Sequence, residues 1–177
     1  MKTRSLLIAL VTGIFTLGTA VSASAATTGG TPATVTVQGG SLSITVPVSA
    51  GNLQSGPNVV GGMTLSGTLG VVQVTDARSA AAGSGWVTSV IAGAFTPPAG
   101  PAIPASNISY TAGTIVKVGT ATYTANDPGD LTAVNPAVTA TGITGDNSAT
   151  WNPTISVFVA GGMAAGVYSA TITHSVV

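Results

Sequence analysis

Apolar and polar residues alternate along short stretches of the chain, a pattern typical of β-strands with one buried face. In GVVQVTD (70–76), Val72 and Val74 fall on one side, whereas Gln73 and Thr75 fall on the other. The same alternation predicts further strands within 41–48, 86–95, 132–141, 154–159 and 167–177. In the first and last of these, the predicted apolar faces carry Leu42, Ile44, Val46 and Val48, and Tyr168, Ala170, Ile172, His174 and Val176.

Clusters of Gly, Pro, Asn and Asp separate these stretches and predict turns or loops at 49–58, 96–105, 126–130, 141–147 and 160–166. The stretch 96–105 holds four prolines and is predicted to be an extended loop, because proline cannot serve a central strand. No stretch after the N-terminus shows a convincing helical period. The sequence therefore predicts an all-β protein, a single β-sandwich of immunoglobulin-like, Greek-key type with about eight to ten strands.

The N-terminus has the three parts of a secretory signal peptide. Lys2 and Arg4 give a positive start, a short apolar stretch follows, and Ala23-Ser24-Ala25 resembles a cleavage site. We expect a signal helix in residues 1–25 that is cut before Ala26, a flexible segment over 26–34, and one domain over 35–177. The apolar stretch is too short to span a bilayer, which takes about 20 residues, so no membrane span is expected after cleavage.

Charge is scarce in the predicted mature chain, and this excludes some classes of partner. Arg78 and Lys117 are its only basic residues, against four aspartates and no glutamate. Nucleic acids and anionic membranes are bound by clustered Lys and Arg, so neither is an expected partner. Solubility must come from Thr, Ser, Asn and Gly, which leaves self-association possible. The absence of cysteine excludes thiol catalysis, thiolate metal sites and disulfides.

Few residues carry reactive side chains. His174 is the only histidine, so it cannot build a zinc site alone, and its place in an alternating strand favours a half-buried packing role over a catalytic one. Asp127, Asp130 and Asp146 could bind Ca²⁺ with backbone carbonyls, but aspartates in such positions also cap turns. We expect no enzyme activity, no metal and no cofactor.

The stretch VTDARSAAAGSGW (74–86) concentrates charge beside an aromatic residue. Asp76 and Arg78 lie two residues apart, which places them on one face of a strand about 7 Å from each other. We expect the pair to brace the end of a strand, with Arg78 able to stack on an aromatic ring. A turn at 79–85 would then bring Trp86 back into the sheet.

Three stretches resemble the WxL-domain proteins, and most closely their actinobacterial WxL-like relatives. They are LGVVQVTDARSAAAGSGWVTSV, IPASNISYTAG and AGVYSATITHSVV. The family segment D-x-R-x-x-x-G-W matches Asp76, Arg78, Gly85 and Trp86, and the resemblance covers about residues 40 to 177. The two W-x-L positions read Trp-Val-Thr at 86–88 and His-Ser-Val at 174–176, while Trp-Asn-Pro stands at 151–153.

The resemblance implies a secreted, non-catalytic surface protein of a Gram-positive bacterium that attaches non-covalently to the cell wall. Its expected partner is a wall polymer such as peptidoglycan. The alternative is a self-assembling adhesive or structural subunit, like those of pili or surface layers. The candidate wall-binding or structural residues are Asp76, Arg78, Trp86, Trp151, Tyr168 and His174.

Overall fold

The computed structural model describes residues 31–54, 56–57 and 59–177. Within these ranges the chain forms eight β-strands and one short 3-10 helix, Ala105–Asn107. The strands are β1 (Leu42–Thr45), β2 (Met63–Thr68), β3 (Val72–Ala92), β4 (Ile108–Thr111), β5 (Val116–Ala125), β6 (Asn135–Trp151), β7 (Thr154–Val159) and β8 (Ile172–Val176). None of the described residues belongs to a helix long and apolar enough to cross a membrane.

The signal-peptide prediction for 1–25 and most of the segment 26–34 lie outside the described residues. Residues 31–36 are described; they are exposed and form no strand or helix. The residues from Val37 to Val177 form a compact unit. The domain limits expected from the sequence stay predictions.

The strands form two antiparallel sheets, which confirms the predicted all-β sandwich. One sheet has the order β1-β3-β6-β5, and β8 pairs with β3 as a fifth strand. β1 and β8 share one edge of β3, since β1 pairs with residues 73–76 and β8 with residues 88–92. The second sheet has the order β2-β7-β4.

The predicted turn at 79–85 is wrong, because β3 runs through it without reversing. Ser79 and Gly83 adopt positive φ angles of 53° and 89°, and the register against β6 shifts on either side of Ala80. Residues with positive φ commonly form β-bulges, which add a residue and bend a strand without ending it. This stretch of small residues therefore forms bulges within a continuous strand.

The predicted turn at 141–147 is wrong for the same reason. β6 continues through it, with Gly142 and Gly145 at φ 65° and 71°. Gly145 pairs with Ala80, so the irregular parts of the two central strands face each other. Two stretches that look like turns in the sequence thus form one bulged ladder.

The alternation of buried and exposed residues is confirmed in the central strands. Val72 and Val74 are buried, whereas Gln73 and Thr75 are exposed. β1 is shorter than predicted, and Val46 and Val48 after its end are exposed. Both tryptophans lie in the core between the sheets, each with 2% of its surface exposed.

β8 begins at Ile172, later than the predicted start near residue 167. β2, β4 and β5 were not predicted, although the total of eight strands in the described residues lies within the expected range. The stretches 96–105, 126–130 and 160–166 form loops or turns as predicted, and so do the described residues of 49–58.

Candidate functional site

The predicted pair of Asp76 and Arg78 forms a bidentate ion pair. Arg78 Nε donates to Asp76 Oδ1 at 2.8 Å, and Arg78 Nη2 donates to Oδ2 at 2.9 Å. The Arg78 backbone N–H also donates to Oδ1, at 3.1 Å. The Asp76 side chain is fully buried, whereas 37% of the Arg78 side chain is exposed. A buried carboxylate therefore lies beneath a half-hydrated guanidinium.

The ion pair braces a bulge in the middle of a strand, whereas the sequence placed it at a strand end. Arg78 Nη2 donates to the carbonyl oxygen of Gly85 at 3.2 Å, so the guanidinium spans the irregular stretch from its first residue to its last. Within the described part of the chain, Arg78 does not stack on an aromatic ring as expected. Lys117 lies over a ring instead, with its Nζ 5.8 Å from the centroid of Tyr123. The hydrogen bond from Arg78 lowers the pKa of Asp76, although burial alone would raise it.

Asn147, which the sequence reasoning missed, joins this ion pair to two aromatic residues. Its Nδ2 donates to Asp76 Oδ2 at 3.3 Å. Its Oδ1 accepts hydrogen bonds from Trp86 Nε1 and from the Tyr123 hydroxyl, both at 3.1 Å. Asn147 stands in what looked like a turn, so no signal in the sequence marked it. We call Asp76, Arg78, Trp86, Tyr123 and Asn147 the polar network.

The carboxylate at the centre of the polar network is fully hydrogen-bonded. Each carboxylate oxygen of Asp76 accepts two hydrogen bonds. The rings of Trp86 and Tyr123 pack at 5.6 Å with a tilt of 57°, within the range of favourable aromatic pairs. Burial, with a smaller contribution from the Asp76 charge, raises the pKa of Tyr123, so this phenol stays a neutral donor. Such an arrangement holds β3, β5 and β6 together.

The second tryptophan belongs to a separate cluster of aromatic side chains. Trp151 Nε1 donates to the hydroxyl of Tyr110 at 2.7 Å. The ring of Tyr110 lies 5.6 Å from that of His174. Tyr110 is fully buried, and burial raises its pKa to about 12. Trp151 and His174 are thus brought together through a tyrosine that the sequence reasoning had not singled out.

His174 is half-buried on β8, as the alternation of that strand predicts. Its Nε2 atom is buried and has no hydrogen-bond partner among the described residues. Burial lowers the pKa of His174 to about 4, so the ring is neutral at pH 7. The imidazole therefore presents an unused hydrogen-bonding atom inside the protein.

An open, mainly apolar cleft of about 1040 Å³ lies beside His174. Its lining includes inward-facing residues of both sheets, such as Leu65 of β2 and Ile172 of β8. Residues 46–54, 56–57 and 163–171 contribute further loop parts of the lining. Tyr168 lines it too, and donates from its hydroxyl to the Ala164 carbonyl at 2.9 Å. None of the described residues that line the cleft carries a charge.

The three aspartates considered for Ca²⁺ do not come together. Asp127 Oδ1 accepts from the backbone N–H of Ala112 at 2.8 Å. Asp130 caps Thr132, whose hydroxyl hydrogen bond lowers the pKa of Asp130. Asp146 Oδ1 accepts from the backbone N–H of Ser79 at 2.9 Å. In the described ranges no three potential metal ligands form a group, so the Ca²⁺ site suggested by the sequence is not supported.

The outer face of the five-stranded sheet carries two aligned rows of uncharged residues, which we call the hydroxyl face. Each row crosses β1, β3, β6 and β5 at paired positions, and three of its four members are polar. The rows are Ser43, Thr75, Ser148 and Val118, and Thr45, Gln73, Thr150 and Val116. All eight side chains are exposed or half-exposed.

The hydroxyl face lies directly over the polar network. Thr75 and Ser148 pair across β3 and β6, and the next pair along the ladder is Asp76 with Asn147. Successive side chains point to opposite faces of a sheet, so the hydroxyls face solvent while the network faces the core. The network thus fixes the register of the strands that carry the rows.

No protein-family model matches the chain, and neither the curated proteins nor the solved structures contain a match. The resemblance to WxL-like proteins therefore stays a prediction from the residues that carry it.

Proposed function

We propose that the chain is a non-catalytic domain of an exported surface protein and binds an uncharged polymer of the cell wall through its hydroxyl face. The observation that carries this proposal is the pair of aligned polar rows across four strands. Neighbouring strands lie about 4.8 Å apart and alternate residues about 7 Å apart, so the face offers a regular lattice of donors and acceptors. Wall glycans are rich in hydroxyl groups that such a lattice can bond.

The burial of both tryptophans assigns them to the interior. With 2% of its surface exposed, neither Trp86 nor Trp151 can stack on a polymer without unfolding the core. In this proposal Asp76, Arg78 and Trp86 support the sheet from beneath, and residues on its other face make the contacts. The signal-peptide pattern and the WxL-like resemblance support an exported location.

The expected affinity of one such face is low. A hydrogen bond between neutral groups contributes a net of about 0.5–1.5 kcal/mol, because each partner gives up a bond to water. Several bonds along a repeating polymer give millimolar to micromolar binding, and attachment of many copies to one wall strengthens it by avidity. Since the rows carry no charge, binding should be almost independent of salt.

Co-sedimentation with purified walls tests the proposal. The triple variant Thr75→Val, Ser148→Ala, Thr150→Val removes three hydroxyls with little change in volume and should lower binding at least tenfold. Thr64→Val is the matched control, because Thr64 is exposed on β2 of the other sheet. Walls stripped in turn of teichoic acid and polysaccharide identify the polymer. Equal binding by the triple variant and the wild type, with unchanged melting curves, would refute the proposal.

A second candidate function is self-assembly into a structural or adhesive surface layer. The apolar cleft between the sheets and the exposed valines near the N-terminus favour it. Size-exclusion chromatography with light scattering separates the two functions. A monomer that pellets with walls supports wall binding, whereas polymers that leave walls untouched support assembly.

A further inference from the structure

The apolar cleft lies where the sandwich is least closed. β2 and β8 contribute lining residues from opposite sheets, and each is paired on one side only, β2 with β7 and β8 with β3. Inward-facing residues of the two sheets, Leu65 and Ile172 among them, therefore border open space instead of each other. At about 1040 Å³ the space is at the upper end of the range for ligand pockets.

The lining of the cleft shows a second sign of an incomplete structure. His174, which lines it, holds its Nε2 atom buried and without a hydrogen-bond partner in the described residues. Buried polar atoms in finished structures nearly always have a partner. An unpaired strand edge, half-buried apolar residues and an unused polar atom thus meet at one place.

A segment with the pattern of a missing strand stands near the N-terminus. In residues 31–38, TPATVTVQ, Ala33, Val35 and Val37 alternate with polar residues. Val35 and Val37 are 91% and 81% exposed. Residues 31–38 belong to no strand. The alternation and the β-branched residues favour a half-buried β-strand, yet no strand forms here.

We propose that the cleft accepts residues 31–38 of a second copy of this chain, which add to the free edge of β8 as a β-strand with Val35 and Val37 facing inward. Backbone hydrogen bonds would supply affinity, and the two valines would fill the apolar lining, as in other strand additions. Both the segment and the cleft lining are uncharged, so no charge is buried.

The edge of β8 suits this role better than that of β2. The side chain of Gln54 already accepts a hydrogen bond from the backbone N–H of Ser66 at 2.7 Å, and it occupies part of the β2 edge. The long edge strand β5 is also a poor acceptor. It carries Lys117 and a glycine at φ 89°, Gly119, and charges and bulges are devices that protect an edge from pairing.

A second copy is the expected donor because of where the chain enters β1. Gly40 donates its backbone N–H to Ala77, beside Leu42 at the start of β1. The cleft lining begins at Val46, just after the other end of that strand. The chain therefore enters β1 at the end remote from the cleft.

This inference gives a mechanism to self-assembly and rests on that second candidate function, not on wall binding. Strand addition would let a chain of low charge form a regular polymer, because each copy donates its residues 31–38 to one neighbour and accepts those of another. An open head-to-tail contact of this kind generates filaments.

Cysteine cross-linking between two differently tagged full-length copies tests the proposal, since the chain has no cysteine of its own. Val37→Cys in one copy should form a disulfide with Ala170→Cys in the other, because Ala170 lines the cleft. Thr36→Cys is the matched control, as residue 36 would face away. Equal yields for the two donors, or no mixed dimer, would overturn the proposal. A cross-link that forms only within a chain carrying both cysteines would assign the segment to its own cleft and also overturn it.

Charge substitutions separate this proposal from assembly in general. The variant Val35→Asp, Val37→Asp should reduce oligomers at least tenfold, whereas Thr34→Asp, Thr36→Asp adds the same charge on the opposite face and should leave most of them. Oligomers that persist in the first variant would exclude this route and leave assembly through another surface. If the wild-type chain forms no oligomer at any concentration, both this inference and the second candidate function fail. Wall sedimentation of the same variants reports independently on wall binding.

Discussion

Replacing Asn147 by alanine is expected to destabilise the protein more than its size suggests. The residue is 5% exposed, and its amide bonds three other members of the polar network. Alanine would remove the acceptor for Trp86 Nε1 and one of the four donors to Asp76. Asn147→Ala therefore tests whether the network holds the central strands together.

The magnitude follows from the burial of each partner. Trp86 is 2% exposed, so its Nε1–H would be left without a partner in the core, at a cost of about 1–3 kcal/mol. The loss of one hydrogen bond to the buried carboxylate of Asp76 adds about 1 kcal/mol, because three donors from Arg78 remain. Tyr123 is only half-buried, so water can replace its lost partner. The expected total of about 2–4 kcal/mol is a large part of the roughly 5–15 kcal/mol that stabilises a domain.

Urea unfolding followed by tryptophan fluorescence measures this loss directly, since both tryptophans lie in the core. For a chain of this length, about 2–4 kcal/mol corresponds to a fall in Tm of about 4–16 °C. Asn126→Ala is the matched control. Asn126 is exposed and its amide donates to one hydroxyl, that of the half-exposed Thr139, so its loss should cost at most about 0.5 kcal/mol.

A double-mutant cycle identifies the bond responsible. If Asn147 and Trp86 act through their shared hydrogen bond, Asn147→Ala combined with Trp86→Phe should cost less than the sum of the single changes by about 1 kcal/mol. Strict additivity would show that the Trp86–Asn147 bond contributes nothing. A loss below about 0.5 kcal/mol for Asn147→Ala alone would refute the view that the network is a structural centre.

The remaining predictions concern pH, metal and processing. Since the folded pKa of Asp76 is lowered, its contribution is complete above the ordinary pKa of about 4 and is lost as pH falls further; urea melts of Asp76→Asn should lack that acid-side loss. His174 is neutral in the folded protein down to about pH 4, whereas in the unfolded chain it is protonated below about pH 6.5. The stability of the wild type should therefore fall from about pH 6.5 to about 4, and that of His174→Leu should not. EDTA should leave Tm unchanged, because Asp127 and Asp146 bond to separate backbone amides; a fall of several degrees would contradict this. N-terminal sequencing of secreted protein should start at Ala26, and a start at residue 1 would contradict the signal-peptide prediction.

The sequence predicted the fold class well because alternation is a local property. Where one face of a strand is buried against the other sheet, every second residue is apolar, as at Val72 and Val74. Turn chemistry was less informative, because the glycines that end strands also form bulges. Whether 79–85 and 141–147 reverse the chain or bulge it depends on the facing strand, and a single stretch of sequence does not contain that information.

Only the Asp76–Arg78 part of the polar network was predicted from the sequence, again because that part depends on local geometry. Asp76 and Arg78 are two residues apart, so their contact follows from strand geometry alone. Asn147 and Tyr123 reach the same place from β6 and β5, and only the register of three strands aligns them. Tyr110 was not predicted either, because its hydrogen bond with Trp151 connects strands of different sheets.

Because Asp76, Trp86 and Trp151 are buried, we expect less conspicuous surface residues to make the functional contacts. Asp76, Arg78 and the two tryptophans are conspicuous in a chain with few charged and aromatic residues, but their side chains form hydrogen bonds within the protein. The features proposed for contact with other molecules are the exposed Thr and Ser of one sheet face, a cleft without charge, and a few valines at the N-terminus. Each of these features is uncharged, so neither wall binding nor strand addition should respond strongly to ionic strength. If binding or assembly fell steeply with added salt, the few exposed charges, such as Lys117, would carry the interaction, and both proposals would have the wrong surface.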